Sequence, residues 1–174
     1  MFFVDTMAEI GKFMDSGGMV LWAIVVLLFV MWTLIFERMW YLRTSVGVDV
    51  QRALTAWEER KERKSKGAHQ VREKLISEVS IEIDTNLMMI KTLVALAPLF
   101  GLLGTVTGMI TVFDVMAFTG GGDAKAMAGG VSQATVPTMS GMVAALSGVF
   151  GMTYVERGAE REKHLLADHL TMDH

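Results

Sequence analysis

Three stretches of the chain carry no charged side chain: Gly18 to Phe36, Thr92 to Phe113 and Ala126 to Val155, of 19, 22 and 30 residues. A bilayer core of roughly 30 Å is crossed by about 20 apolar residues in a helix, so each stretch can span it. The pattern therefore predicts an all-α membrane protein with transmembrane helices at 18–36, 92–113 and 126–155. Ahead of the first span, residues 1–17 set Phe2, Phe3, Met7, Ile10, Phe13 and Met14 among acids. Helical spacing gathers most of them on one face, which predicts an amphipathic helix lying on the membrane surface, with a frayed tail as the alternative.

Between the first two spans, Val71, Leu75, Val79, Ile83, Leu87 and Ile90 recur at three- and four-residue steps, the stripe of an amphipathic helix. Neither glycine nor proline occurs from Ala68 to Ala97, so this helix is expected to run unbroken into the second span. Glu156 to Asp168 likewise prolongs the third. Such extensions are expected to need other copies of the chain to cover their stripes, which predicts an oligomer. The charge run Glu58 to Lys66, ending at Gly67, reads as a solvated face and turn.

Charge fixes the orientation. The region 37–91 holds 11 of the 16 Lys and Arg residues, and 156–174 adds Arg157, Arg161 and Lys163. The N-terminal segment has Lys12 and the connection 114–125 has Lys125. By the positive-inside rule, 37–91 and 156–174 are cytoplasmic, while 1–17 and the Gly-rich turn 114–125, with Asp114 and Asp123, face outward. Asp5, Glu9 and Asp15 outnumber Lys12 and the apolar run is long, unlike a cleaved signal peptide, so the first span is expected to be retained. Glu37 to Arg43 reads as an interfacial anchor.

Composition then excludes function classes. Among 174 residues there is no cysteine, which removes disulfides, thiolate nucleophiles and Cys-based metal sites. A net charge of −3 gives no general attraction to nucleic acid. His69, His164, His169 and His174 all lie outside the spans. With no acid, His or Cys in a span, the chain offers no enzyme chemistry, no metal site and no cofactor site there.

The candidate chemistry sits in the second and third spans. Gly101, Gly104, Gly108 and Thr111 share one face of the second, with Thr105 beside them. Gly130, Ala134, Thr138, Gly141, Ala145 and Gly148 share one face of the third. Small residues let helices approach closely in lipid, which makes Gly101, Gly104, Gly108, Gly141 and Gly148 helix-packing candidates. The hydroxyls admit a second reading, a polar lumen in which Thr105, Thr135, Thr138 and Gln133 give a neutral hydrogen-bonding path. No group in that path titrates, so any proton carried along it needs an acid from a partner.

Ala97 to Ile110 (Ala-Pro-Leu-Phe-Gly-Leu-Leu-Gly-Thr-Val-Thr-Gly-Met-Ile) resembles the signature of the MotA/TolQ/ExbB proton-channel family. Gly130 to Ala145 resembles that family's last helix, and Glu37 to Leu42 the Glu-Arg segment after its first. Three spans resemble a short ExbB-like form. The resemblance implies a homopentameric ring in the bacterial inner membrane, with the N-terminus periplasmic and the C-terminus cytoplasmic. It implies an ExbD-like single-span partner dimer whose aspartate carries the proton, and a TonB-like protein energised for outer-membrane uptake. Thr105 and Thr138 match the pore threonines of the family's second and third helices. Family members often carry glutamate where this chain has Gln133, and a proline near Ser147. A TolQ-like envelope-energising subunit and a non-conducting membrane scaffold are the alternatives.

Overall fold

The computed structural model describes residues 2–59, 66–120 and 124–170, with the side chains of 2–5, 7 and 8 left aside. Phe2, Phe3 and Met7 of the expected surface stripe, the centre of the charge run at 60–65 and the turn at 121–123 therefore lie outside the described side chains or residues. Five helices follow in order: α1 (Phe2–Thr44), α2 (Val46–Glu58), α3 (Lys66–Asp84), α4 (Leu87–Thr119) and α5 (Ala124–His169). Three helical stretches, Glu9–Thr44, Lys66–Thr119 and Ala124–His169, contain segments long and apolar enough to cross a membrane. The 46 residues of α5 are about twice the number that a bilayer core requires.

The chain divides into two compact units. The first comprises residues 1–32 and 92–149. In it, α1 buries Leu21, Ile24, Leu27 and Met31, one residue per helical turn. Ile24 and Leu27 meet Ala97 of α4 and Ala144 of α5, with Val20, Leu28, Leu93, Leu96, Phe100 and Ala145 packed around them. Outside this seam the helices are apolar and open: Phe29, Leu102, Val106, Met142 and Leu146 are each at least half exposed. That much apolar surface is foreign to a soluble monomer and suits lipid or a partner helix.

α1 is two helices joined at Gly18, whose backbone (φ 61, ψ −160) is not helical. That combination belongs almost wholly to glycine, because a Cβ would clash with the neighbouring peptide groups. The break separates the amphipathic N-terminal stretch from the apolar run.

The second unit comprises residues 33–91 and 150–174. Here the helix expected to be continuous from Ala68 to Ala97 is interrupted: α3 stops at Asp84 and α4 starts at Leu87. Asn86 takes φ 63, the left-handed conformation that asparagine tolerates better than other side chains with a Cβ. A breaker was present after all, as asparagine rather than glycine or proline. The stripe is also corrected: Val79, Ile83, Leu87 and Ile90 are buried within the chain itself. Ala53 and Trp57 of α2 are buried in the same unit, and α2 packs on α3. The stripe therefore does not require an oligomer. Lys91–Glu156 at 2.6 Å and Lys163–Asp84 join the start of α4 and the end of α3 to α5.

Candidate functional site

The glycines of α4 and α5 face each other at backbone distance. A Cβ added at Gly101 would lie 3.1 Å from Thr138 Cα, and one at Gly108 would lie 2.5 Å from Cα and N of Ala134. One at Gly141 would lie 2.6 Å from Ala97 O. At Gly104 the space is filled by the Pro137 ring, and at Gly148 by Met31 and Val94 side chains. α5 continues through Pro137, and the proline ring occupies the notch that Gly104 leaves.

Thr138 belongs to this seam. Its hydroxyl donates to Gly101 O at 3.0 Å, across the helix pair, and to Ala134 O at 3.3 Å in its own helix. Thr105 donates to Leu102 O at 2.6 Å, and Thr135 to Val131 O and Ser132 O at 3.1 and 3.2 Å. All three protons are thus held by backbone carbonyls. What remains is acceptor capacity, since a hydroxyl oxygen has two lone pairs. Such a wall can receive a hydrogen bond from a neutral carboxylic acid; it offers much less to an ionised one.

Gln133 lies elsewhere. Its amide stands beside the α1 break: a Cβ at Gly18 would be 2.8 Å from Gln133 Nε2. The two flank a cavity of about 460 Å³ with Gly17, Phe100, Thr107 and Thr111. Positions 133 and 135 are about 200° apart around a helix, as are 105 and 107. Gln133 with Thr107 and Thr111 therefore occupies the α1 side of the α4–α5 pair, while Thr105 and Thr135 turn away from it. The four polar residues singled out in the sequence do not form one cluster. Thr107, Thr111 and Gly18 went unnoticed there, although the four-residue step of the threonines and the Gly17–Gly18 pair were visible signals.

A second constellation was read only as an interfacial anchor. Arg38 is 3% exposed, the one buried charged residue among those described. Its Nη2 donates to Glu82 O at 2.7 Å, in the last turn of α3, and its Nε to Thr85 O, just beyond the end of α3. The guanidinium lies 4.7 Å from the centre of the Tyr41 ring, and Tyr41 donates to Asp49 Oδ2 at 2.8 Å. Asn86 Nδ2 donates to Glu37 Oε2 at 3.3 Å. Arg72 repeats the device on α5, donating to Leu170 O and Ala167 O at 2.6 and 2.9 Å.

Burial, then the Asp49 hydrogen bond and the charges of Asp49 and Glu82, push the Tyr41 phenol up to about 12, against a smaller opposing pull from Arg38. The folded chain thus keeps a proton that the unfolded chain loses from pH 10.0 upward. The stabilisation is complete below pH 10.0 and vanishes as pH rises through about 12. In a Tyr154→Phe protein, where Tyr41 is the sole tyrosine, phenolate absorbance is expected to titrate with a midpoint near 12. A midpoint near 10 would mean that Tyr41 is not packed as described.

Three apolar helices and a backbone-to-backbone glycine seam define a polytopic helical membrane protein. The chain belongs to the MotA/TolQ/ExbB proton channel family, whose sequence profile matches residues 45–168. The match takes in α3, α4 and nearly all of α5. It is similar to ExbB-like 1 of Synechocystis sp., 44% identical over 61 residues, which is 33% of this chain and 24% of that protein. It is also similar to the biopolymer transport protein ExbB of Helicobacter pylori, 35% identical over 71 residues, 41% of this chain and 49% of that one. The matched segments thus span less than half the length of these relatives. The family is one of membrane channels, not of enzymes.

Proposed function

We propose that the chain is an ExbB-like proton-channel subunit of an inner-membrane energy transducer, with the N-terminus periplasmic and the C-terminus cytoplasmic. Several copies, five by family precedent, surround the transmembrane helices of an ExbD-like partner dimer. The family match carries this reading, because it falls on the two helices that the glycine seam joins. The charge-free runs hold no carboxylate and no histidine, so the proton travels on a carboxylate of the partner. Thr105, Thr135 and Thr138, their own protons pinned to carbonyls, accept the hydrogen bond of that carboxyl group in its protonated form. The wall then favours the neutral, mobile state of the partner's acid over the charged one. Movement of the partner within the ring is passed to a TonB-like protein that drives outer-membrane uptake.

Reconstituted with its partner, the chain is expected to dissipate a proton gradient across vesicles, and to leave the gradient intact when reconstituted alone. Thr138→Val removes both the bond to Gly101 O and the acceptor. It is expected to slow flux about fivefold or more, the factor that about 1 kcal/mol of lost hydrogen bonding gives. Thr105→Ser keeps its hydroxyl and is expected to stay within about twofold of the parent, a difference of roughly 0.4 kcal/mol. Equal flux from both variants in intact complexes would reduce the threonines to packing residues. No flux from the parent with its partner would favour a non-conducting scaffold.

A further inference from the structure

We propose that Arg38 is a positioning residue that holds the junction of α3 and α4 open, and that withdrawing it lets the two helices zip into one. In an unbroken helix, Glu82 O would accept the N–H of Asn86 and Thr85 O the N–H of Met89, four residues on. Those two carbonyls are the ones Arg38 occupies. The guanidinium therefore competes with the helix's own amides for the same acceptors. It is well placed to win: it is buried, charged, and braced by Tyr41, which is itself tied to Asp49 of α2. Glu37 adds a second hold by accepting from the Asn86 side chain, the residue whose φ of 63 makes the break.

Asp84, Thr85 and Asn86 are poor helix formers that permit an interruption without imposing one. Ile81 to Lys91 has no glycine or proline, and Leu87, Met88, Met89, Ile90 and Lys91 are helix-compatible. On the α4 side, Ile90 N to Asn86 O is the first bond of the new helix. The amides of Leu87 and Met89 fall in the first turn of α4, where a helix start leaves donors with no acceptor in their own helix. The junction thus has two arrangements. In one, Arg38 takes the carbonyls and Asn86 is left-handed. In the other, Asn86 returns to helical φ and the amides of 86–89 take the carbonyls. Passing between them remakes the start of α4, the helix that carries Gly and Thr residues of the candidate site. Because Glu37 and Arg38 lie on α1, a pull on the end of α1 biases that choice.

Amide hydrogen exchange on the full-length protein in its purified state tests this without a partner or a gradient, so the outcome is independent of the proton-channel reading. Arg38→Met is expected to slow exchange at 86–89 by tenfold or more. Asn86→Ala, which penalises the left-handed conformation with Arg38 still present, is expected to slow it severalfold. Asn86→Gly should exchange as the parent does. The double variant Arg38→Met with Asn86→Gly should return toward parental rates, because glycine keeps the break without help. A residue that merely filled space would not be rescued by glycine 48 positions away. Parental or faster exchange at 86–89 in Asn86→Ala overturns the proposal. So does a double variant no different from Arg38→Met. If Arg38→Met also loosens α2 and α3, the Asn86→Ala result alone decides.

Discussion

Gly108→Ala is expected to destabilise the protein by about 3 kcal/mol or more, beyond the ordinary range for an added methylene in a packed interior. The methyl group would arrive 2.5 Å from the backbone N and Cα of Ala134, which cannot turn aside as a side chain would. α4 and α5 must then separate along their whole seam or unwind locally. Gly129→Ala is the control. It lies on α5, inside a helix like Gly108, but a Cβ there meets nothing within 4 Å. Removing an exposed glycine from a helix should leave stability unchanged or raise it by up to about 1 kcal/mol. Thermal unfolding of both variants in one detergent checks the pair. Equal midpoints would mean that the helices do not meet at their backbones.

Gly18→Ala should have the second largest effect, for a different reason. The nearest obstacle to a Cβ there is the end of the Gln133 side chain, which can swing away at little cost. The backbone cannot: φ 61 with ψ −160 costs a residue with a Cβ about 1–3 kcal/mol. The chain is expected to relieve that strain by straightening α1 through position 18, carrying the preceding helix off its course. A Gln133→Ala partner mutation separates the terms. It should recover little of the loss, since strain rather than collision dominates. Recovery of more than half would reverse that ranking. Protease accessibility of residues 9–17 gives an independent reading of whether α1 has straightened.

The three apolar helices were legible because spanning lipid demands long charge-free runs, a signal that survives without any knowledge of tertiary contacts. The glycine faces were legible for a related reason: periodic small residues have few uses in a helix other than close approach. The α3–α4 break was not, because asparagine is usually helix-neutral and becomes a breaker only when a partner stabilises its left-handed form. That partner, Arg38, is 48 residues away in sequence. Its burial ran against the expectation that a charged residue just past a span faces headgroups. The same distance effect misplaced the stripe from Val71 to Ile90. Periodicity shows that a face is buried, yet not whether the cover comes from the same chain. For the polar residues, composition could not separate the two sides of the α4–α5 pair. Counting polar side chains grouped Gln133 with Thr135, whereas helical rotation sets them on different sides.

The notch at Gly104 has a mechanical corollary. A screw motion of α4 by one residue in either direction, turning it about 100° as it advances about 1.5 Å, would bring Leu103 or Thr105, each with a Cβ, against the Pro137 ring that Gly104 now admits. Small displacements are therefore blocked by volume, whatever the attraction between the helices. Displacement by three or four residues instead presents Gly101 or Gly108 to the same ring. The seam behaves as a ratchet whose pawl is a proline and whose stops are glycines, spaced about 4.5–6 Å apart along the helix axis. Any screw motion of α4 on α5 should accordingly be stepwise, with strokes of about one turn.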